Sequence, residues 1–186
     1  QVVEIFSYVQ KLEKEAIKKG GQVHYILGNH EIMNLSGDYR YVHPIYWTDS
    51  VAPQRSYRRL FSPRTRTGRW LRSKNIIEKI GDYLFVHGGI ASAVNALPYS
   101  LQALNAAAKP FYEMANQAGI RDEPLVRLLF DSENTSPFWF RGYYAPYNAT
   151  YGSPATEQTI DSTLLKFGVR HIITGHTLVA DTISMH

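Results

Sequence analysis

Three observations predict an α/β fold. Short apolar runs of strand length alternate with longer stretches whose apolar residues recur every three or four positions. Three of the short runs stop directly at a turn that contains glycine and histidine. The chain has 186 residues, 44% hydrophobic and 19% charged, enough for one soluble domain with its own core.

The elements follow in chain order. Val2, Phe6, Val9, Leu12 and Ala16 mark one face of a helix that Gly20-Gly21 ends. Residues 22–27 read as a short buried strand, followed by a polar loop at Gly28-Asn29-His30-Glu31. Residues 50–73 are rich in Arg, Ser, Thr, Pro and Gly and are expected to be irregular or short helix at the surface. Residues 75–80 and 83–86 flank Gly81-Asp82 as a β-hairpin, and the second of them runs into His87-Gly88-Gly89. Residues 100–118 are helical but split by Pro110. A helix is expected at 123–130, a long loop at 131–155, and a helix at 156–167 capped by Gly168. Residues 170–174 form a strand ending at Gly175-His176-Thr177, and 182–185 a last strand. Residues 98–155 are expected to be a helical and loop insertion near the active site of a single domain spanning 1–186.

Composition excludes several classes. No apolar run approaches the ~20 residues that cross a membrane, and the charged, amphipathic stretch of residues 1–19 does not read as a signal peptide. With no cysteine, disulfides and thiolate metal sites are ruled out, and any metal must sit on nitrogen and oxygen. The lack of cysteine is compatible with cytoplasm and periplasm alike. The formal charge is +4, with Arg55, Arg58, Arg59, Arg64, Arg66, Arg69 and Arg72 clustered in one stretch. Such a patch steers phosphate-bearing partners or is a solvated surface. Nucleic acid is not the expected partner, because no aromatic binding module accompanies the arginines.

His30, His87 and His176 each follow an apolar run and sit beside glycine or one residue from it. Strand ends converge on one edge of an α/β sheet, where ligand sites gather. Imidazole nitrogen and the Asn29 amide oxygen suit first-row divalent metals. Taken singly, a strand-end asparagine is a turn former and a lone histidine is structural. Their repetition at three strand ends points to a metal.

Gly28-Asn29-His30-Glu31, His87-Gly88-Gly89 and Gly175-His176-Thr177, in that order, resemble three motifs of the calcineurin-like metallophosphoesterase superfamily. The runs GNHEIMNLSGDYRYV, GRWLRSKN and SPFWFRGY resemble its Shewanella-like phosphatases, in the phosphoprotein-phosphatase branch. The resemblance implies a β-sandwich of two sheets flanked by helices. It implies Asn29, His87 and His176 as ligands of one metal and His30 as the acid that protonates the leaving oxygen. It implies Arg141 as the phosphate grip. The implied reaction is metal-dependent hydrolysis of phosphomonoesters, phosphoprotein among them, by a metal-bridging hydroxide. The implied cofactors are two divalent ions, manganese, iron or zinc. Glu31 reads as a loop-fixing acceptor, and His24, His43, His171 and His186 match no motif.

The superfamily's Asp-x-His and Gly-Asp-x-x-Asp-Arg-Gly motifs, which supply the first metal's ligands and the bridging aspartate, are not found. Gln1 is accordingly read as a point beyond them, with the opening strand or strands missing. At most one well-formed metal site is expected in this chain, and little activity from it alone. Two other readings stay open: a nucleotide or dinucleoside-polyphosphate hydrolase, with Tyr143, Tyr144, Tyr147 and Tyr151 as stacking candidates, and a non-catalytic metal- or phosphate-binding remnant.

Overall fold

The computed structural model describes residues 2–46, 54–115, 123–131, 134–144, 154–179 and 183. Close contacts divide the chain into two compact units, one of residues 1–25 and 41–74, the other of residues 26–40 and 75–186.

The first unit begins with α1 (Val2–Lys18). Glu4 in its first turn and Lys18 in its last complement the helix dipole. Gly20 ends it at φ 73°, in the left-handed region that glycine occupies without a Cβ penalty. The expected apolar face is the covered one, with Phe6 and Gln10 buried, whereas Ile5 and Ile17 are exposed. Phe6 is the hub of an aromatic cluster, with ring centres 6.4 Å from Tyr25, 6.4 Å from Phe61 and 5.9 Å from Trp70. Glu13 anchors the same layer. Its carboxylate accepts from Trp70 Nε1 at 2.7 Å and from Lys74 Nζ at 2.6 Å.

The stretch expected to be irregular or short helix contains two short helices. It holds α3 (Gln54–Leu60) and α4 (Arg66–Ser73), and Tyr57, Phe61 and Leu71 are buried. Three apolar anchors and one glycine suffice to seat a hairpin of otherwise polar helices. Gly68 is the close-approach point, since a Cβ there would lie 2.0 Å from the Ser62 carbonyl oxygen. Thr65 caps α4 by accepting from Gly68 N at 3.1 Å, and its hydroxyl donates to the Leu60 and Ser62 carbonyls.

The second unit holds α2 (Asn29–Ser36) and, among the described residues, one sheet in the order β1-β2-β3. Its strands are β1 (Ile77–Ile80), β2 (Tyr83–Val86) and β3 (His171–Ile173). The expected hairpin forms. Ile77 pairs with Val86 and Ile80 with Tyr83 around Gly81 at φ 57°. β3 runs parallel to β2, with Leu84 opposite Ile172. The α/β class therefore holds, and the second sheet of a sandwich is not among the described residues.

Between β2 and β3 lie α5 (Ser92–Asn95), α6 (Leu101–Ala108), the short α7 (Pro124–Val126) and α8 (Glu157–Phe167). Pro110 splits the expected helix, placing a 3-10 turn at Lys109–Phe111 directly after α6. Gly168, at φ 60°, ends α8 as expected. Lys79 on β1 reaches the end of α8, donating to the Phe167 and Gly168 carbonyls at 3.0 and 2.8 Å. Leu84, Val86, Ile90, Val94, Leu104 and Leu129 are at most 1% exposed and form the centre of the core.

Two expectations are corrected. Residues 22–27 do not form a strand. A strand needs a facing row of amides and carbonyls, and among the described residues this segment finds a single parallel bridge, Ile26 to Asn75, with Leu27 N–H donating to the Asn75 carbonyl at 3.0 Å. The Gly28–Glu31 segment is not a loop, because α2 begins at Asn29. Gly28 is extended and its N–H donates to Glu31 Oε2 at 2.9 Å, so a side chain three residues on closes the helix start. Of the expected last strand, Thr182, Ser184 and Met185 lie outside the described residues.

Asn105 ties α6 to the start of β1. Its Oδ1 accepts from Ile76 N at 2.9 Å and Ile77 N at 3.2 Å, and its Nδ2 donates to the Ile77 carbonyl at 2.8 Å, all buried. Asn105→Ala orphans these backbone groups away from water and is expected to cost about 2–4 kcal/mol. Urea unfolding checks this, and an unchanged midpoint would contradict the assigned role.

Candidate functional site

The parallel pairing of β2 and β3 puts the chain segments after their C-terminal ends at one edge of the sheet. His87 follows β2 immediately, and Gly175-His176 follows β3 after one intervening residue. The two exits are tied together, with Gly175 N–H donating to the His87 carbonyl at 2.9 Å. The His87 and His176 ring centres lie 5.0 Å apart.

Asn29, the first residue of α2, is 3% exposed. Its amide oxygen lies 2.8 Å from His87 Nε2. Gly28 permits this approach. A Cβ there would sit 2.9 Å from His87 Cε1 and Nδ1 and 2.9 Å from Glu31 Oε2. Glu31 is committed to the Gly28 amide, the loop-fixing role expected of it.

His176 is the one non-glycine residue with positive φ among the described residues, at 58°. For a residue with a Cβ this conformation costs about 1–2 kcal/mol. Outliers of this kind gather at functional sites. Its Nε2 is also the one buried side-chain polar atom among the described residues with no hydrogen-bond partner. Burial without a partner is unfavourable, and a metal ion would satisfy this nitrogen.

Arg141 donates from Nη1 to the His176 carbonyl at 3.0 Å and to Thr177 Oγ1 at 3.2 Å. The Trp139 ring stands perpendicular to that of His176, centres 5.5 Å apart. His30 is exposed on α2, beside Asn29. Burial foremost, then electrostatic repulsion from His30 and Arg141, lowers the His87 pKa to about 4. Burial, Arg141, His87 and His30 lower that of His176 to about 3, against a raising backbone hydrogen bond with Trp139. Both rings are therefore neutral near pH 7 and can offer lone pairs.

The donor set fits a divalent first-row ion: two neutral imidazoles and an amide oxygen. Asn29 Oδ1 and His87 Nε2, 2.8 Å apart, are close enough for both to reach one ion. Among the described residues no group of three His, Asp or Glu side chains comes together, so the amide completes the trio and no carboxylate joins it.

The structure thus brings Asn29, His87 and His176 together, with Arg141 against the His176 segment and His30 adjoining Asn29. Two neighbours were not foreseen. Thr177 stood inside a recognised triplet, but nothing local showed that its hydroxyl would seat Arg141. Trp139 lies two residues from Arg141, and no periodicity sets it apart. Of the unmatched histidines, His171 stacks on Tyr83 at 4.6 Å and His43 Nδ1 accepts from Ile45 N, while His186 lies outside the described residues.

The lowered histidine values set a direction of pH dependence. As pH falls through 6.5 the unfolded chain takes up protons that folded His87 and His176 refuse until near 4 and 3. The stability they contribute is complete above 6.5 and is lost progressively below it. Denaturant midpoints of the metal-free chain should fall between pH 6.5 and 4, less steeply in His176→Gln. An equal slope in the variant would contradict the assignment.

Residues 4–180 match the calcineurin-like phosphoesterase family. A cold-active protein-tyrosine phosphatase of a psychrophilic Shewanella superimposes with a TM-score of 0.82 and 37% identity, over 95% of this chain and 50% of the other. Shewanella-like protein phosphatase 1 of Plasmodium berghei is 32% identical over 50% of this chain and 26% of its own length. An uncharacterised protein of Acanthamoeba polyphaga mimivirus is 26% identical over 91% of this chain and 75% of its own. The chain spans about half the length of the solved phosphatases it resembles. The family match covers nearly the whole chain, and the recognised motifs fall within it: this chain belongs to the calcineurin-like phosphoesterases.

Proposed function

We propose that this chain carries one metal site and the phosphate grip of a metal-dependent phosphomonoesterase. The observation that carries the reading is the 2.8 Å approach of Asn29 Oδ1 to His87 Nε2 with the His176 ring centre 5.0 Å from that of His87 and its Nε2 partnerless. In this reading Asn29, His87 and His176 hold a divalent ion such as manganese, iron or zinc. When bound, the family's divalent ions supply Lewis-acid charge at the phosphoryl group and acidify the attacking water.

The remaining roles belong to side chains. Arg141 orients its planar guanidinium through the His176 carbonyl and Thr177 hydroxyl. A fork held in one plane suits two phosphate oxygens at once. His30, exposed and next to a ligand, is placed to deliver a proton to the leaving alcohol or phenol oxygen. Strain at His176 supports a working site over a decayed one, because such a conformation persists only where the surroundings impose it. The remnant reading would leave it unexplained.

Phosphate monoesters are favoured over nucleotides by what the tyrosines do. Tyr143 Oη donates to the Ile90 carbonyl and accepts from Ile90 N, both at 3.0 Å. Tyr144 Oη bonds Thr174 Oγ1 at 2.5 Å. Both phenols are engaged in packing, and Tyr147 and Tyr151 lie outside the described residues. No carboxylate joins the trio among the described residues. We therefore propose weak ion binding and slow turnover by this 186-residue chain on its own.

Manganese binding tests the ligand set. One ion per chain is expected by calorimetry, weakened about 100-fold in His176→Ala with circular dichroism unchanged. Equal affinity in the variant would remove His176 from the set. Turnover of phosphotyrosine, phosphoserine and diadenosine tetraphosphate by the complete gene product tests the reaction. His30→Asn should lower kcat by about 10²–10⁴ while manganese affinity is kept. Preference for the dinucleotide would replace the phosphomonoesterase reading.

A further inference from the structure

The arginine-rich stretch is not used by the proposed chemistry. It forms a hairpin of α3 and α4 whose apolar side is fully occupied. Tyr57, Phe61 and Leu71 are buried, and Trp70 packs on Phe6 and Tyr25. Arg58, Arg59, Arg64, Arg66 and Arg69 are exposed. No Asp or Glu occurs between Asp49 and Glu78. None of Arg59, Arg64, Arg66 and Arg69 makes an ion pair among the described residues.

The face is held in shape rather than loosely displayed. Thr65 ties the connecting turn through the Leu60 and Ser62 carbonyls. Arg72, partly covered, spends its Nη1 on the Phe61 and Gly68 carbonyls at 2.7 and 2.8 Å, locking the turn to α4. Arg69 leans back over the turn, donating to the Arg64 carbonyl at 2.7 Å. Arg66 and Arg69, three apart on one helix, repel each other. A run of like charges without counter-charges raises the local potential, and an anionic partner would relieve it.

We propose that this outer face of the α3–turn–α4 hairpin is a docking surface for an acidic polypeptide segment. One feature chooses a polypeptide over a nucleic acid. Base binding by such grooves uses exposed aromatic platforms, and Tyr57, Phe61 and Trp70 are all turned into the unit. The surface is independent of the metal trio, so its failure and that of the phosphomonoesterase reading are separable.

The experiment is fluorescence anisotropy with the 186-residue chain and a labelled peptide of about ten glutamates at low ionic strength, where screening is weak. Binding is expected, weakened about tenfold by the combined substitution Arg59→Gln, Arg64→Gln, Arg66→Gln and Arg69→Gln, as four exposed pairs each worth a factor of about two. Should that variant unfold, Arg59→Gln with Arg66→Gln removes two side chains that hold no hydrogen bond among the described residues, with about a fourfold loss expected. Manganese affinity should be unchanged in both. No measurable peptide binding, or binding indifferent to the substitutions, overturns the proposal. So does tighter binding of an oligonucleotide of equal charge, which would assign the face to nucleic acid.

Discussion

The 2.8 Å approach of the Asn29 amide oxygen to His87 Nε2 is the contact on which the proposed site depends. It requires a helix to begin within one residue of a strand-end imidazole, with no side chain between them. Gly28 removes the obstructing Cβ, and Glu31 holds the Gly28 amide so that α2 starts at Asn29 and not later. A register change at either place would turn the amide away. The same geometry ties these two groups to each other and leaves the neighbouring His176 Nε2 buried without a partner, an arrangement that is unfavourable by itself and useful in a protein that binds an ion.

The third member arrives by a different route. β3 lies parallel to β2, so the chain leaves both strands at the same edge, and the Gly175–His87 backbone bond keeps the two exits together. His176 then takes a left-handed conformation that most residues avoid. The Arg141 bond to its carbonyl and the edge-on Trp139 ring are the surroundings that hold it there. Arg141 thereby couples two functions, fixing the strained turn and presenting its own guanidinium beside it. Strain, an orphaned nitrogen and depressed basicity coincide at one residue, and burial is the foremost cause of the last.

The unit made of residues 1–25 and 41–74 follows a different logic. Its stability rests on an aromatic cluster around Phe6 and on the Glu13 carboxylate, which serves Trp70 and Lys74 together. Seating the hairpin of α3 and α4 takes few apolar anchors and one glycine, which leaves the other side of that hairpin to arginine.

Local order was legible because it arises from short-range rules. The periodicity of α1, the glycine that ends it, the hairpin at Gly81, the split at Pro110 and the cap at Gly168 each depend on residues a few positions apart. The three glycine-histidine turns were legible as motifs, and so was the list of donors they carry. Residues 22–27 misled because β propensity describes a segment, whereas a strand exists only where a partner backbone faces it. Gly28–Glu31 misled because a helix start and a polar loop share their residue types, and only the Gly28–Glu31 hydrogen bond separates them. The sequence by itself determined the donor chemistry, nitrogen and oxygen without sulfur, and the chain order in which it comes. Tertiary structure decided which of those atoms meet, the backbone conformation of His176 and the seating of Arg141 against it, because these follow from pairing between strands and turns far apart along the chain.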